Sequence, residues 1–270
     1  MSDLIVECID VNTHFGNHHV LKNINLTVRP GETVGLVGES GSGKTTLGRA
    51  ILGIGPVTSG RIRFEGQEIA GIAPRDRKGD AASIQAVFQD PYTSLNPSMT
   101  IEDILVEPIV ARGQASKADA TARVRGLLDQ VNLPSDAAHR YPREFSGGQR
   151  QRVAIARALA LSPKLIVCDE PVSALDLSTQ ARVLDLFVEI QERTGVAYLF
   201  VSHDLSVVRH ISHRVAVMRG GEIVEFGECD QVTAHPQHDY TRRLLLAAPV
   251  ADPVRQAERR AAFRALTAGA

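Results

Sequence analysis

No run in the 270 residues approaches the roughly 18 consecutive apolar side chains that a membrane span requires. The opening residues, Met1-Ser2-Asp3-Leu4-Ile5, lack the basic start and long apolar core of a secretory signal. Any role at a membrane is therefore expected to be borrowed from a partner. Neither charge is in excess: 30 Lys and Arg stand against 31 Asp and Glu, a formal net charge of −1. Nucleic-acid-binding proteins usually carry a clear basic excess, so no nucleic acid partner is expected. Cysteine is scarce as well. Cys8, Cys168 and Cys229 are odd in number and far apart, which suggests neither a disulfide framework nor a zinc site and points to a reducing compartment. Internal repeats and low-complexity segments are missing too.

What is present is the composition of a globular protein, 43% hydrophobic and 23% charged. The length suits one large domain or a core with a smaller subdomain. Residues 4–15 and 20–28 are β-prone and interrupted by Gly16-Asn17, which predicts an antiparallel pair. Residues 33–37 form a compact apolar strand that runs into a glycine-rich turn and then a helix from about Lys44 to Leu52. Further strands are expected at 61–64, 84–88, 164–169 and 196–201. Residues 214–218 and 222–226, joined by Arg219-Gly220-Gly221, read as a hairpin. From about 90 to 161 the pattern is mostly helical, with helix-start spacings at Thr100 and Asp103, Ser116 and Asp119, and Ser146 and Gln149. Pro134 and Pro163 mark helix stops, and a helix near 178–193 ends at Thr194-Gly195. Strands alternating with helices imply a parallel α/β core, with 90–161 inserted between two parts of it. The Ala/Arg-rich tail after Pro249 is expected to be a loosely held helix, and its basic group Arg259, Arg260 and Arg264 to be a solvated face.

The strongest motif is Gly38-Glu39-Ser40-Gly41-Ser42-Gly43-Lys44-Thr45, followed by Thr46. It matches the phosphate-binding loop G-x-x-x-x-G-K-[ST] in its proper setting, after a strand and before a helix. Glycines let successive backbone N–H groups turn towards phosphate, and the helix start adds a favourable dipole. Lys44 would reach the β- and γ-phosphates and the Thr45 hydroxyl would bind Mg²⁺. About 120 residues further on, Leu165-Ile166-Val167-Cys168-Asp169-Glu170 is an apolar strand that ends in two acids. Asp169 could hold the metal, and Glu170 could orient and deprotonate an attacking water. A third motif, Phe145-Ser146-Gly147-Gly148-Gln149, is both a capped helix start and a good anion site.

With these three motifs in this order the sequence resembles the ATP-binding cassette (ABC) family, whose signature L-S-G-G-Q lies shortly before the acidic strand. Phe145 stands where leucine is usual. The resemblance covers residues 4 to about 250 and implies ATP and Mg²⁺ as cofactors. It implies a P-loop NTPase fold of class α/β, a mixed-sheet core with an antiparallel β subdomain and an inserted α-helical subdomain. The cassette would span 4–250, with its core at 4–89 and 162–250, the helical subdomain at about 90–161, and a tail at 251–270. By the same resemblance Phe15 lies against adenine, and Gln89 joins the core to the helical part and reaches Mg²⁺. Asp176, in Ser173-Ala174-Leu175-Asp176, belongs to the loop that crosses a dimer interface, and His203 contacts the γ-phosphate. Catalysis would rest on Glu170, His203 and Lys44; Thr45, Gln89 and Asp169 would hold the metal; and Ser146, Gly147, Gly148 and Gln149 of an opposing subunit would close the site.

A narrower resemblance, to the ATPase subunits of peptide importers and their nickel-uptake relatives, lies in residues 87–97, in 100–104 and in His235-Pro236-Gln237-His238-Asp239-Tyr240-Thr241. It implies transmembrane permease subunits, a second, different ATPase subunit in a mixed dimer, an extracytoplasmic solute-binding protein, and a place on the cytoplasmic side of the cell membrane. His235 and His238, like His210 and His213, are read as ordinary surface residues, because no acidic or cysteine partners cluster near them in sequence. No iron–sulfur cluster is expected, since no cysteine-bearing tail follows. A GTPase would need Asn-Lys-x-Asp; Ser116-Lys117-Ala118-Asp119 only echoes it and reads as a helix cap.

Overall fold

The computed structural model describes residues 4–77, 83–90 and 94–247. The alternating residues of β1 (Val6–Phe15) and β2 (His18–Val28) pair antiparallel, with Phe15 opposite His18 across Gly16-Asn17. β1 also pairs with β4 (Ser59–Phe64), which carries the short β5 (Gln67–Glu68). The result is an antiparallel sheet in the order β2-β1-β4-β5.

A six-stranded sheet lies beneath it. β3 (Thr33–Val37) sits between β8 (Ala197–Ser202) and β9 (Arg214–Arg219), and β7 (Leu165–Asp169) and β6 (Ile84–Val87) follow β8 outwards. These five run parallel, and β10 (Glu222–Glu228) closes the other edge antiparallel to β9. Strands covered on both faces need apolar residues at every position, and β8 is buried along its whole length. Their pleat divides the core in two. Leu165, Val167, Leu199 and Val201 join the antiparallel sheet and α1 (Lys44–Leu52), whereas Ile166, Cys168, Tyr198 and Phe200 join the helices of the opposite face.

On that opposite face α4 (Gly147–Leu159) and α5 (Leu177–Thr194) pack against the sheet, and α2 (Ile101–Ala111) and α3 (Lys117–Gln130) pack on α4 within the same core. Phe187 of α5 meets Tyr198 and Phe200 edge-on, with centroids 5.4 and 5.6 Å away. Such pairs add about 0.5–1.5 kcal/mol each beyond the area they bury. The three expected helix starts form as caps. Thr100, Ser116 and Ser146 accept from the N–H of Asp103, Asp119 and Gln149, and the Gln149 side chain returns a bond to the Ser146 N–H. Ser116 and Asp119 are thus spent on a helix cap, not on reading a guanine.

Three short helices complete the described chain: α6 (Leu205–Ile211), α7 (Cys229–Ala234) and α8 (Asp239–Ala247). They are one to two and a half turns long, too short for a period of 3.6 to show in sequence. The three cysteines are free and buried. Burial, helped by neighbouring Glu7, pushes the Cys8 thiol up to about 12, so it stays protonated and packs as a small apolar group. Among the described residues no helix is long and apolar enough to cross a membrane. The expected helix after Pro249 with its arginines, the tail 251–270 and residues 91–93 of the importer-like segment lie outside the described residues.

Candidate functional site

β3 delivers the chain to the carboxyl end of the parallel sheet, and the loop 38–43 turns there into α1. Gly43 is the residue before the helix, with φ 105°, and no side chain caps the helix start. A left-handed backbone at this point favours glycine, and an uncapped start leaves backbone N–H groups free for an anion. Lys44 is buried; its Nζ donates to the carbonyls of Gly38 at 2.8 Å and Glu39 at 2.9 Å. An ammonium has three donors, so one hydrogen remains for a ligand. Burial lowers the Lys44 pKa, opposed by the negative charges of Glu170, Asp169 and Glu39. The Ser42 hydroxyl is buried with no hydrogen-bond partner among the described residues. Orphan donors beside a lysine and a free helix start are what a phosphate chain would satisfy.

The acids arrive from the next strands. Thr45 Oγ1 donates to Asp169 Oδ1 at 2.9 Å, joining α1 to the end of β7. Burial raises the Asp169 carboxyl above its ordinary range, and the Thr45 hydrogen bond works against that. A hydroxyl and a carboxylate in contact are hard oxygen donors suited to Mg²⁺. Glu170 has φ 50°, a left-handed conformation rare for a residue with a side chain, and its N–H donates to the Val201 carbonyl at 3.0 Å. Local strain of this kind, of the order of 1 kcal/mol or more, is retained where surrounding structure enforces it. The turn aims the Glu170 carboxylate at His203, whose Nδ1 lies 3.1 Å from Oε2 just beyond the end of β8. β6 holds Val87 opposite Cys168, so Gln89, exposed two residues past β6, leaves the sheet level with these acids.

One cleft of about 380 Å³ is lined by Phe15, Ser40, Gly41, Lys44, Thr46 and Glu170 among others, including Gly43 and Thr45. Phe15, at the hairpin tip, is 52% exposed and has its ring free for a flat partner. His18 and Val20 also line this cleft. Neither carries a motif in the sequence, although His18 pairs directly with Phe15 across the hairpin. Larger hollows of about 550 and 630 Å³ lie at the opposite ends of the strands, around Ser162, Pro163 and Thr194, and hold none of the motif residues.

Ser146, Gly148 and Gln149 do not share that cleft. They line a separate hollow of about 300 Å³ with Thr179 and Arg182 of α5, two residues without a sequence signal. Gly147 stands at the first turn of α4 between them. A Cβ on Gly148 would come within 2.3 Å of Thr179 Cγ2, so only glycine lets α4 approach α5 so closely. Asp176 caps α5, accepting from the N–H groups of Thr179 and Ser178; side-chain hydrogen bonding from Thr179 and Ser178, aided by these N–H groups, holds its carboxyl well below the usual range. Two histidines outside the motifs, His210 and His213, have structural partners. His210 Nε2 is 2.9 Å from Asp185, and His213 Nδ1 accepts from the Thr33 N–H.

A family model described as ABC transporter matches residues 21–173. Glutathione import ATP-binding protein GsiA from Escherichia coli (strain K12) and from Shigella boydii serotype 4 (strain Sb227) are each 51% identical over 242 residues, covering 90% of this chain and 39% of theirs. The chain thus spans about two-fifths of the length of these relatives. Among solved structures, cbiO1 from Clostridium perfringens, part of the ABC transporter complex cbiONQ, superposes with a TM-score of 0.77 at 27% identity, covering 90% of this chain and 96% of that one. A dimer of the ATP-binding cassette MJ0796 in a post-hydrolysis state, bound to ADP and Pi, gives 0.69 at 29% identity, covering 83% of this chain and 98% of that one.

Proposed function

Since the chain belongs to the ABC transporter family, we propose that it is the ATP-hydrolysing subunit of a membrane importer for peptides or related small solutes. One observation carries this reading. A single cleft gathers the exposed Phe15 ring, the phosphate loop and the Glu170 carboxylate, while the signature residues line a separate hollow of their own. Each chain therefore offers one part of a nucleotide site in each of two places.

In the proposed site Phe15 stacks on the base, and the loop 38–43, the α1 start and Lys44 bind the phosphates. Thr45, Asp169 and Gln89 hold Mg²⁺, which neutralises part of the phosphate charge when bound. Glu170 orients a water in line with the γ-phosphate and accepts its proton. His203 supports that carboxylate through their 3.1 Å contact and presents its other ring nitrogen to the phosphate. Ser146, Gly147, Gly148 and Gln149 of a second subunit close over the same nucleotide, and the loop ending at Asp176 crosses between the two. Loss of the γ-phosphate removes contacts that favour closure, and the equilibrium shifts towards the open dimer. The helical part 90–161, hinged at Gln89, passes this motion to transmembrane permease subunits.

We further propose a place against the cytoplasmic side of a membrane, a solute-binding protein outside it, and a second, different ATPase in a mixed dimer; likeness to import ATP-binding proteins supports the membrane setting alone. Nucleic acid has no part in this scheme. The test uses Lys44→Ala and Ser146→Arg, each inactive alone. Mixing them creates dimers with one intact site and should restore part of the ATPase activity. If the physiological dimer is mixed, that recovery needs the second cassette subunit instead. ATP hydrolysis by Lys44→Ala, or by a demonstrably monomeric wild-type chain, would overturn the shared-site reading. Co-purification with a peptide permease supports the cargo class, and co-purification with ribosomes alone would refute it.

A further inference from the structure

The importer-like segment 235–241 takes no part in the site as described above, yet the structure ties it to the phosphate loop. Tyr240, in the first turn of α8, is buried with only 4% of its surface exposed. It belongs to the same small core as Val37 and Val217 at the carboxyl end of the sheet, and the Arg219 guanidinium lies over its ring, 5.1 Å from the centroid. The hydroxyl oxygen accepts from the backbone N–H of Glu39 at 3.1 Å. That peptide stands in the phosphate loop, and the Glu39 carbonyl is one of the two that hold Lys44 Nζ. Tyr240 therefore fixes the orientation of the loop segment that anchors the lysine.

Tyr240 is itself held in place by a chain of bonds that begins at a bulge. β10 pairs Ile223 with Met218 and Glu225 with Val217, so Val224 is an extra residue. Bulges re-aim the side chains that follow them. Glu225 here turns to the connection before α8 and accepts from the N–H groups of Gln237 at 2.8 Å and His238 at 3.1 Å. His238 Nδ1 in turn accepts from the Tyr240 N–H at 3.1 Å, which caps α8 and places the ring. The turn between β9 and β10 touches the loop directly as well, through the Gly221 N–H on the Ser42 carbonyl at 3.1 Å.

We propose that Glu225, His238 and Tyr240 form a clamp that positions the phosphate loop for nucleotide, with Tyr240 as the positioning residue. The proposal rests on the nucleotide-binding reading of that loop. Its purpose is preorganisation: a loop already held in its binding conformation loses less freedom when a ligand arrives.

Tyr240→Phe tests it, because the ring and its packing remain and only the hydroxyl is lost. One hydrogen bond of ordinary strength corresponds to roughly a 2- to 12-fold change in affinity. The full-length variant should bind ATP about fivefold more weakly and show a matching rise in KM. Turnover at saturating ATP should stay at the wild-type value, and the melting temperature should fall by no more than about 4 °C, the cost of one hydrogen bond in a chain of this size. Glu225→Ala should weaken binding in the same direction, and the double variant should be no weaker than the worse single one, as expected for members of one unit. ATP affinity of Tyr240→Phe equal to wild type, while Lys44→Ala still abolishes binding, would refute the clamp and leave the site assignment standing. Full additivity of the two substitutions would refute the relay through His238. Retained binding in Lys44→Ala would remove the reading on which both depend.

Discussion

Replacing Glu170 with Gln isolates charge from shape. Both side chains have the same length, and either can accept from His203, 3.1 Å away in the native structure. Both pay the same cost for the left-handed backbone at φ 50°, so the fold and its melting temperature should not change. What disappears is the proton acceptor beside the water. Losing a positioned base costs about 10²–10⁴ in rate, or roughly 3–5 kcal/mol of barrier, so turnover should fall at least about 100-fold. Affinity should move the other way. Glu170 contributes negative potential at Lys44, and its removal lessens repulsion against the phosphates. The dissociation constant for Mg-ATP should therefore be no weaker than wild type, and the variant should accumulate as an ATP-bound dimer. Phosphate release at saturating ATP measures the first effect, titration with a fluorescent nucleotide the second, and size-exclusion chromatography with ATP the third. Turnover within threefold of wild type would show that Glu170 is not the base. Parallel loss of binding and turnover would show that it is a nucleotide ligand instead.

Phe15→Ala should weaken ATP binding roughly 5- to 150-fold, the worth of one base stacked on an aromatic ring, and Phe15→Tyr should restore it. A change in melting temperature would contradict a role confined to the exposed ring. Gly148→Ala should fold and still bind nucleotide but lose at least about tenfold in ATPase activity, because overpacking at this approach displaces the signature turn. Thr179→Ser removes the Cγ2 atom that the new methyl would meet at 2.3 Å and leaves Cβ at 3.7 Å. Failure of the double variant to recover activity would refute that steric account. Asp169→Asn should weaken binding of the metal–nucleotide complex yet stabilise the nucleotide-free fold at pH 7. Burial raises the Asp169 carboxyl from its ordinary 3.8, so the folded state holds that proton more tightly, and ionisation costs stability as pH rises through the raised value. The gain in melting temperature should shrink as pH falls towards the usual carboxylate range; a gain independent of pH would exclude this cause.

The parallel sheet was legible because its strands are buried on both faces and read as continuous apolar runs, β7 and β8 above all. The helix starts at Thr100, Ser116 and Ser146 were legible because capping is local, written within four residues. Tyr240 was not. Its partner Glu39 lies 201 positions away in sequence, and no periodicity links a hydroxyl to a backbone N–H over that distance. Thr179 and Arg182 escaped for a similar reason: they belong to the face of α5 that meets the signature helix, and sequence alone does not say which helices meet. The left-handed backbone of Glu170 carries no mark either, since glutamate rarely adopts it and only the bond to Val201 makes it visible.

The alternation along β7 also sets which acid does what. Leu165 and Val167 face one core and Ile166 and Cys168 the other, so Asp169 inherits odd parity and points to α1, where it meets Thr45. Glu170 inherits even parity and, turned by its backbone, meets His203 instead. The two carboxylates are adjacent in the chain and near the same lysine, yet each has its own partner. Loss of a single residue from β7 would move Glu170 into the place of Asp169 beside Thr45 and draw Asp169 back into the buried strand at the place of Cys168, leaving no acid beside His203. The motif therefore has a phase as well as a spelling, and the strand before it keeps the count.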